Sequence, residues 1–125
     1  MNTVNEQNAG TLKISDEVIA VCAANATLKT KGVAELAGDI TNALSKTILR
    51  KELLSKGAKV SQSDSGVNID IFVIVEYQIN IPAVAWEIQE HVKKEVESMT
   101  GLSVEAVNIH VQGVRLPEKE APTND

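Results

Sequence analysis

The clearest signal in the chain is a run of strict alternation. Val67, Ile69, Ile71, Val73, Val75 and Tyr77 alternate with Asn68, Asp70, Phe72, Ile74, Glu76 and Gln78. A period of two puts the odd positions on one buried sheet face and leaves the even positions on a face that is polar at its ends and apolar at its centre. Residues 104–114 repeat the pattern, with Val107, Ile109 and Val111 on one side and Asn108, His110 and Gln112 on the other. Between these strands the period changes to that of a helix. Asn80, Ile81 and Pro82 start it, proline being tolerated where the missing amide is not needed. Val84, Ile88, Val92, Val96 and Met99 form its apolar stripe, and Thr100 and Gly101 close it. Glu90 and Lys94 have the spacing and order of a surface pair.

The first half is patterned more weakly. Residues 11–14 predict a short strand, and Ser15 an N-cap followed by Asp16 and Glu17, acids favoured in a first turn. Ile14 and Ile19 occupy staple positions. Val18, Ile19, Cys22, Ala23 and Ala26 give this helix one narrow face of small side chains, and residues 29–32 end it, with Gly32 suited to a left-handed cap. Residues 33–56 are harder to read. Gly38 interrupts them, while Ile40, Leu44, Ile48 and Leu49 keep a helical period from about residue 39. After Gly57, residues 58–62 read as a strand, joined to the strong one by a four-residue hairpin loop, 63–66. The prediction is an α+β, two-layer sandwich: a three- or four-stranded sheet with helices on one face, in the order β-α-(α)-β-β-α-β. One domain spans residues 11–115, with loose tails at 1–10 and, because it combines prolines and acids, at 116–125.

Composition narrows the chemistry. The 125 residues carry 12 Lys and Arg against 17 Asp and Glu, a net charge of −5 that repels phosphate backbones unless basic residues cluster. One segment qualifies: Lys46, Arg50, Lys51, Lys56 and Lys59 accompany a single acid, Glu52. It is the nucleic-acid alternative. Phe72, Tyr77 and Trp86 are the only aromatics, too few for a base-stacking sheet, and no Gly-x-x-Gly loop joins two helices. Cys22 is the sole cysteine, which excludes an internal disulfide and suits a reducing compartment. Residues 1–10 lack the features of a secretory signal, and no apolar run reaches membrane-spanning length, so the reading is a cytoplasmic protein without direct membrane insertion.

Catalytic motifs are missing from the sequence. It has no nucleophile elbow, phosphate loop or dinucleotide fingerprint, and His91 and His110 lack the spacing of paired metal ligands. We expect no enzyme, cofactor or metal. Glu95 falls near the apolar stripe of the long helix and calls for a partner such as a lysine. Trp86 points the other way, among Glu90, Lys93 and Glu97, where the core poorly accounts for it and either a partner or the chain's own 33–56 segment or a tail covers it. Trp86 is therefore the first candidate for protein interaction, and Phe72 with Ile74, at the apolar centre of the open sheet face, is the second.

These segments, taken in order, resemble a known family. GTLKISDEVIAVCAA at 10–24, KGVAELAG at 31–38, KGAKV at 56–60 and above all VNIDIFVIVEYQINIPAVAWEIQEHVKKEVESMTGLSVEAVNIHVQGV at 67–114 look like the alkaline shock protein family, envelope stress response proteins typical of Gram-positive bacteria. The resemblance implies a small non-catalytic cytoplasmic adaptor or scaffold in cell-envelope homeostasis. Such proteins sit near the membrane through a membrane-anchored partner, and some relatives are connected with lipid synthesis. Protein partners and further copies of the chain are the expected contacts. Ile81, Pro82, Gln89, Met99, Thr100, Gly101, Asn108, His110, Gln112 and Gly113 match the family only as pattern positions, without assigned roles.

Overall fold

The long alternating segment forms the central strand of a mixed four-stranded sheet. The computed structural model describes residues 9–37 and 57–117. Its elements are α1 (Asp16–Leu28), β1 (Val33–Leu36), β2 (Ala58–Ser63), β3 (Gly66–Glu76), α2 (Ile81–Thr100) and β4 (Val104–Arg115). Val67, Ile69, Ile71, Val73 and Val75 of β3 are each at most 1% exposed, as the alternation requires. Both helices cover that face. α1 packs against α2 and lies over β2 and β1, while α2 lies over β4. The core joins the odd residues of β3 to Ile19, Cys22, Ala23 and Ala26 of α1 and to Ile88, Val92 and Val96 of α2.

One flank of β3 is taken along its length by β4, in parallel; α2 is the crossover that a parallel pair requires. The other flank is shared end to end by two antiparallel strands, β2 on residues 66–71 and β1 on residues 73–75. The junction falls at Phe72. Its amide donates to the Gly57 carbonyl (2.9 Å) and its carbonyl accepts from the Ala37 amide (2.7 Å), so β1 ends where β2 begins.

Local chemistry sets the ends of these elements. The Ser15 side chain accepts from the Val18 amide at the start of α1, and Asn80 accepts from the Ala83 amide at the start of α2 (2.9 Å). Gly101, at φ +78°, closes α2 by donating its amide to the Glu97 carbonyl (2.9 Å), the left-handed cap that glycine adopts without a Cβ penalty. Gly66 has φ +147°, and a Cβ there would lie 2.7 Å from the Ser103 carbonyl oxygen. Only glycine lets the first residue of β3 pass so close to the start of β4.

Several sequence expectations change. Residues 11–14 form no strand, and Leu12 stands 80% exposed; among the described residues the first strand is β1, inside the weakly patterned stretch 33–56. Among the described residues the order is therefore α-β-β-β-α-β. Lys29 caps α1, and Gly32 (φ +102°) instead leads into β1. Val18 is exposed, while Ala20, Ala24 and Thr27 are buried, so α1 is covered more widely than a single narrow stripe. Ser63 pairs with Gly66, which leaves a two-residue turn of Asp64 and Ser65. Tyr77 lies beyond the end of β3 and is half exposed, and Met99, in the last turn of α2, is 68% exposed. Val111 and Val114 are also exposed. Among the described residues they lie on an edge strand with one flanking neighbour, and α2 bonds only to the first half of that strand. The helix predicted from about residue 39 lies outside the described residues.

Candidate interaction surface

Parallel pairing of β3 and β4 builds the open face. Phe72 stands opposite His110 and Asp70 opposite Asn108. The Phe72 and His110 rings stack with centroids 4.5 Å apart and planes at 12°. Asp70 Oδ1 binds His110 Nε2 (3.0 Å) and accepts from Asn108 Nδ2 (3.2 Å). Lys59 of β2 places its ammonium 5.9 Å from the Phe72 ring centre, in cation–π range. Arg115 donates to Glu76 (2.9 Å). Each of these exposed pairs contributes about 0–1 kcal/mol, but together they occupy the polar groups of the face and cover the Phe72 ring. Ile74 lies beside Gly113, and a register shift between Val73 and Ile74 leaves Gln112 as a bulge rather than a regular open-face position.

The outer side of α2 is built differently. Gln89, Lys93 and Glu97 follow one another along the helix flank nearest β4 and hold its backbone. Gln89 Nε2 donates to the Val107 carbonyl (3.0 Å) and Lys93 Nζ to the Val104 carbonyl (3.4 Å), while Glu97 Oε2 accepts from the Val104 amide (2.9 Å). Lys93 also pairs with Glu97 at 3.1 Å, in place of the Glu90 and Lys94 pair that spacing alone suggests. The Val104 amide and then the Lys93 ammonium hold the Glu97 carboxyl below the usual carboxylate range. Trp86, three residues before Gln89, continues this line with an indole that is 58% exposed.

A third feature is the seam between the helices. An open hollow of about 490 Å³ is lined by Lys29, His91, Lys94 and Glu95, and it adjoins a smaller one of about 220 Å³ lined by Val18, Val21, Cys22 and Met99. Glu95 finds the lysine partner its position called for: Lys29 Nζ lies 3.6 Å from its carboxylate. His91 Nδ1 is bonded to the Thr30 hydroxyl (2.9 Å) at the buried end of the seam. Desolvation and the nearby Glu95 charge push the Cys22 thiol up, against the smaller opposing effect of Lys29, and keep it protonated and a poor nucleophile near neutral pH.

The structure thus separates the two interaction candidates. Phe72 and Ile74 are part-buried on a face already knitted together, and Trp86 is open to solvent on the opposite layer. Of the basic set, Lys46, Arg50, Lys51 and Lys56 lie outside the described residues, and Lys59 is engaged over Phe72. Among the described residues no cluster of three or more His, Cys, Asp or Glu could hold a metal ion, and no helix is long and apolar enough to cross a membrane. The sequence reading missed the hold of Gln89, Lys93 and Glu97 on β4. Its only trace in the sequence is their helical spacing on one flank.

Comparison with known proteins finds relatives along most of the chain. The chain is 41% identical over 109 residues to the uncharacterized protein YloU of Bacillus subtilis (strain 168), covering 86% of this chain and 90% of that one. It is 33% identical over 114 residues to the uncharacterized protein YqhY of the same organism, covering 91% and 84%. A stress response regulator gls24 homolog of Streptococcus pyogenes is 27% identical over 110 residues, 88% of this chain and 62% of that protein. No solved structure matches. The model of the alkaline shock protein family, described as having a cell envelope-related function, matches residues 4–116, and the chain belongs to this family.

Proposed function

We propose that this chain is a non-catalytic adaptor or scaffold in cell-envelope stress response and homeostasis. It works in the cytoplasm through protein contacts and reaches the membrane by way of an anchored partner. The observation that carries the reading is Trp86. A large apolar ring stands 58% exposed on a helix whose opposite side, Ile88, Val92 and Val96, is completely buried, so the core of the described residues does not use it. A tryptophan in that position is the type of residue on which protein interfaces concentrate their binding energy. The family's cell envelope-related description supports the cellular setting.

Crosslinking capture from the native organism tests the proposal, with wild type and Trp86→Ala compared. The variant should lose its partner while keeping its melting temperature, because no buried contact is removed. Equal capture by the two proteins would overturn the role of Trp86. Submicromolar RNA or DNA binding at about 150 mM salt, abolished by charge reversal at Arg50 and Lys51, would replace the adaptor reading with a nucleic-acid one.

A further inference from the structure

We infer that the outer edge of β4 beside Trp86 receives a short, extended, arginine- or lysine-bearing segment of a partner protein. The inference rests on the adaptor reading and gives the partner a chemistry. β4 has β3 on one flank and, among the described residues, no strand on the other. Backbone groups alternate in direction along a strand. The Ser103 carbonyl points to β3, where it accepts from the Val67 amide (2.8 Å), and the amide and carbonyl of Val104 point outward to Glu97 and Lys93. The Val107 carbonyl, taken by Gln89, is also outward. From Val107 to Val111 the register with β3 runs unbroken, so Ile109 and Val111 turn their amides and carbonyls to the same outer edge. No side chain among the described residues bonds them there.

The clamp of polar side chains therefore stops one step short. Trp86, three residues before Gln89 on the same side of α2, makes no such bond to β4, and its indole is exposed. An uncovered edge recruits an extended chain through main-chain bonds, with neighbouring pockets selecting its side chains. Charge selects the occupant. Glu90, one helical turn from Trp86, has no partner among the described residues, and the Lys93 charge is already matched by Glu97. An indole face next to an unmatched carboxylate suits a guanidinium or ammonium, and the chain's net charge of −5 adds to the attraction. The free run is short, bounded by the Gln89 bond at Val107 and the bulge at Gln112. A second β4 fits it poorly, because it would bring another clamp, another bulge and another Glu90.

Trp86 is the only tryptophan, so its fluorescence reports the site directly. The full chain is titrated with blocked Val-Arg-Val-Arg-Val, with Val-Glu-Val-Glu-Val, and with the arginine peptide N-methylated at the amides that would face β4. The arginine peptide should shift the emission and slow amide exchange at Ile109 and Val111. Both other peptides should bind at least roughly tenfold more weakly, and Glu90→Lys should cost the arginine peptide a similar factor. The proposal is overturned by silence of the arginine peptide up to about 1 mM, by equal binding of the two charge types, by indifference to N-methylation, or by emission that follows protein concentration without peptide. Trp86-dependent partner capture with no peptide response would sink this inference alone. Failure of capture, with the peptide response intact, would sink the adaptor reading instead.

Discussion

Ile71 and Ile74 are three residues apart on the same strand and face opposite layers, so shortening each in turn measures the layering directly. Ile71 is completely buried at the centre of β3, between Ala58 on β2 and Ile109 on β4. Ile71→Ala removes three carbons, worth about 0.8 kcal/mol each in transfer from water, or roughly 2.4 kcal/mol. The cavity adds to this. Ala58, the neighbour on β2, is too small to lean into the gap, which places the expected loss near 4 kcal/mol, in the upper part of the roughly 2–5 kcal/mol range for such substitutions. Ile74, on the open face beside Gly113, is already partly hydrated, and Ile74→Ala should cost no more than about 1 kcal/mol. Urea unfolding followed by circular dichroism gives both numbers, provided the slope with denaturant is unchanged. Against a total stability of about 5–15 kcal/mol, the first loss is a large fraction and the second a small one. Equal losses, or a larger one at Ile74, would refute the assignment of the helices to the odd face.

Two further perturbations probe the start of β4. Gly66→Ala should cost at least about 2 kcal/mol, from a backbone conformation that L side chains rarely adopt and from a methyl group driven onto the Ser103 carbonyl; a melting temperature within about 2 °C of wild type would disprove the close approach. Glu97→Gln tests the clamp by its pH dependence. Folding lowers the Glu97 pKa, so its charge stabilises the protein above the unfolded value of about 4.3, and that stability is lost as the pH falls through the folded value. The urea midpoint of wild type should therefore exceed that of the variant at pH 7 and converge on it in acid, and a gap that stays constant down to about pH 3 would rule out the carboxylate as its source.

How legible the fold is in the sequence depends on which interactions decide each element. β3 and α2 are readable because their own side chains settle the matter: an unbroken alternation and a stripe of Ile88, Val92 and Val96 leave each one way to bury its apolar face. β1 is not, because Val33–Leu36 is too short to show a period and becomes a strand only by pairing with the upper part of β3. Residues 11–14 fail in the opposite sense, since two apolar residues suggest a strand that no neighbour completes. The bulges at Glu105 and Gln112 are equally invisible, being set by how β4 fits β3 rather than by β4 itself. Of the candidate surfaces, the outward direction of Trp86 follows from about 100° per residue alone. The stacking of Phe72 on His110 requires the parallel register, which the sequence leaves undecided.

The junction at Phe72 has a consequence for how this fold can diversify. With Ala37 and Gly57 bonded to the carbonyl and amide of one residue, the chain between them departs from and returns to a single point on the sheet. A methyl group on Gly57 would meet the Leu36 side chain, a measure of how closely the two ends are held. A segment anchored this way can lengthen or shorten without any strand changing partner, and each doubling of its length costs only about 0.6 kcal/mol in closure entropy. The Ala37 and Gly57 ends therefore make an insertion port, where new sequence can be tried against an unchanged core.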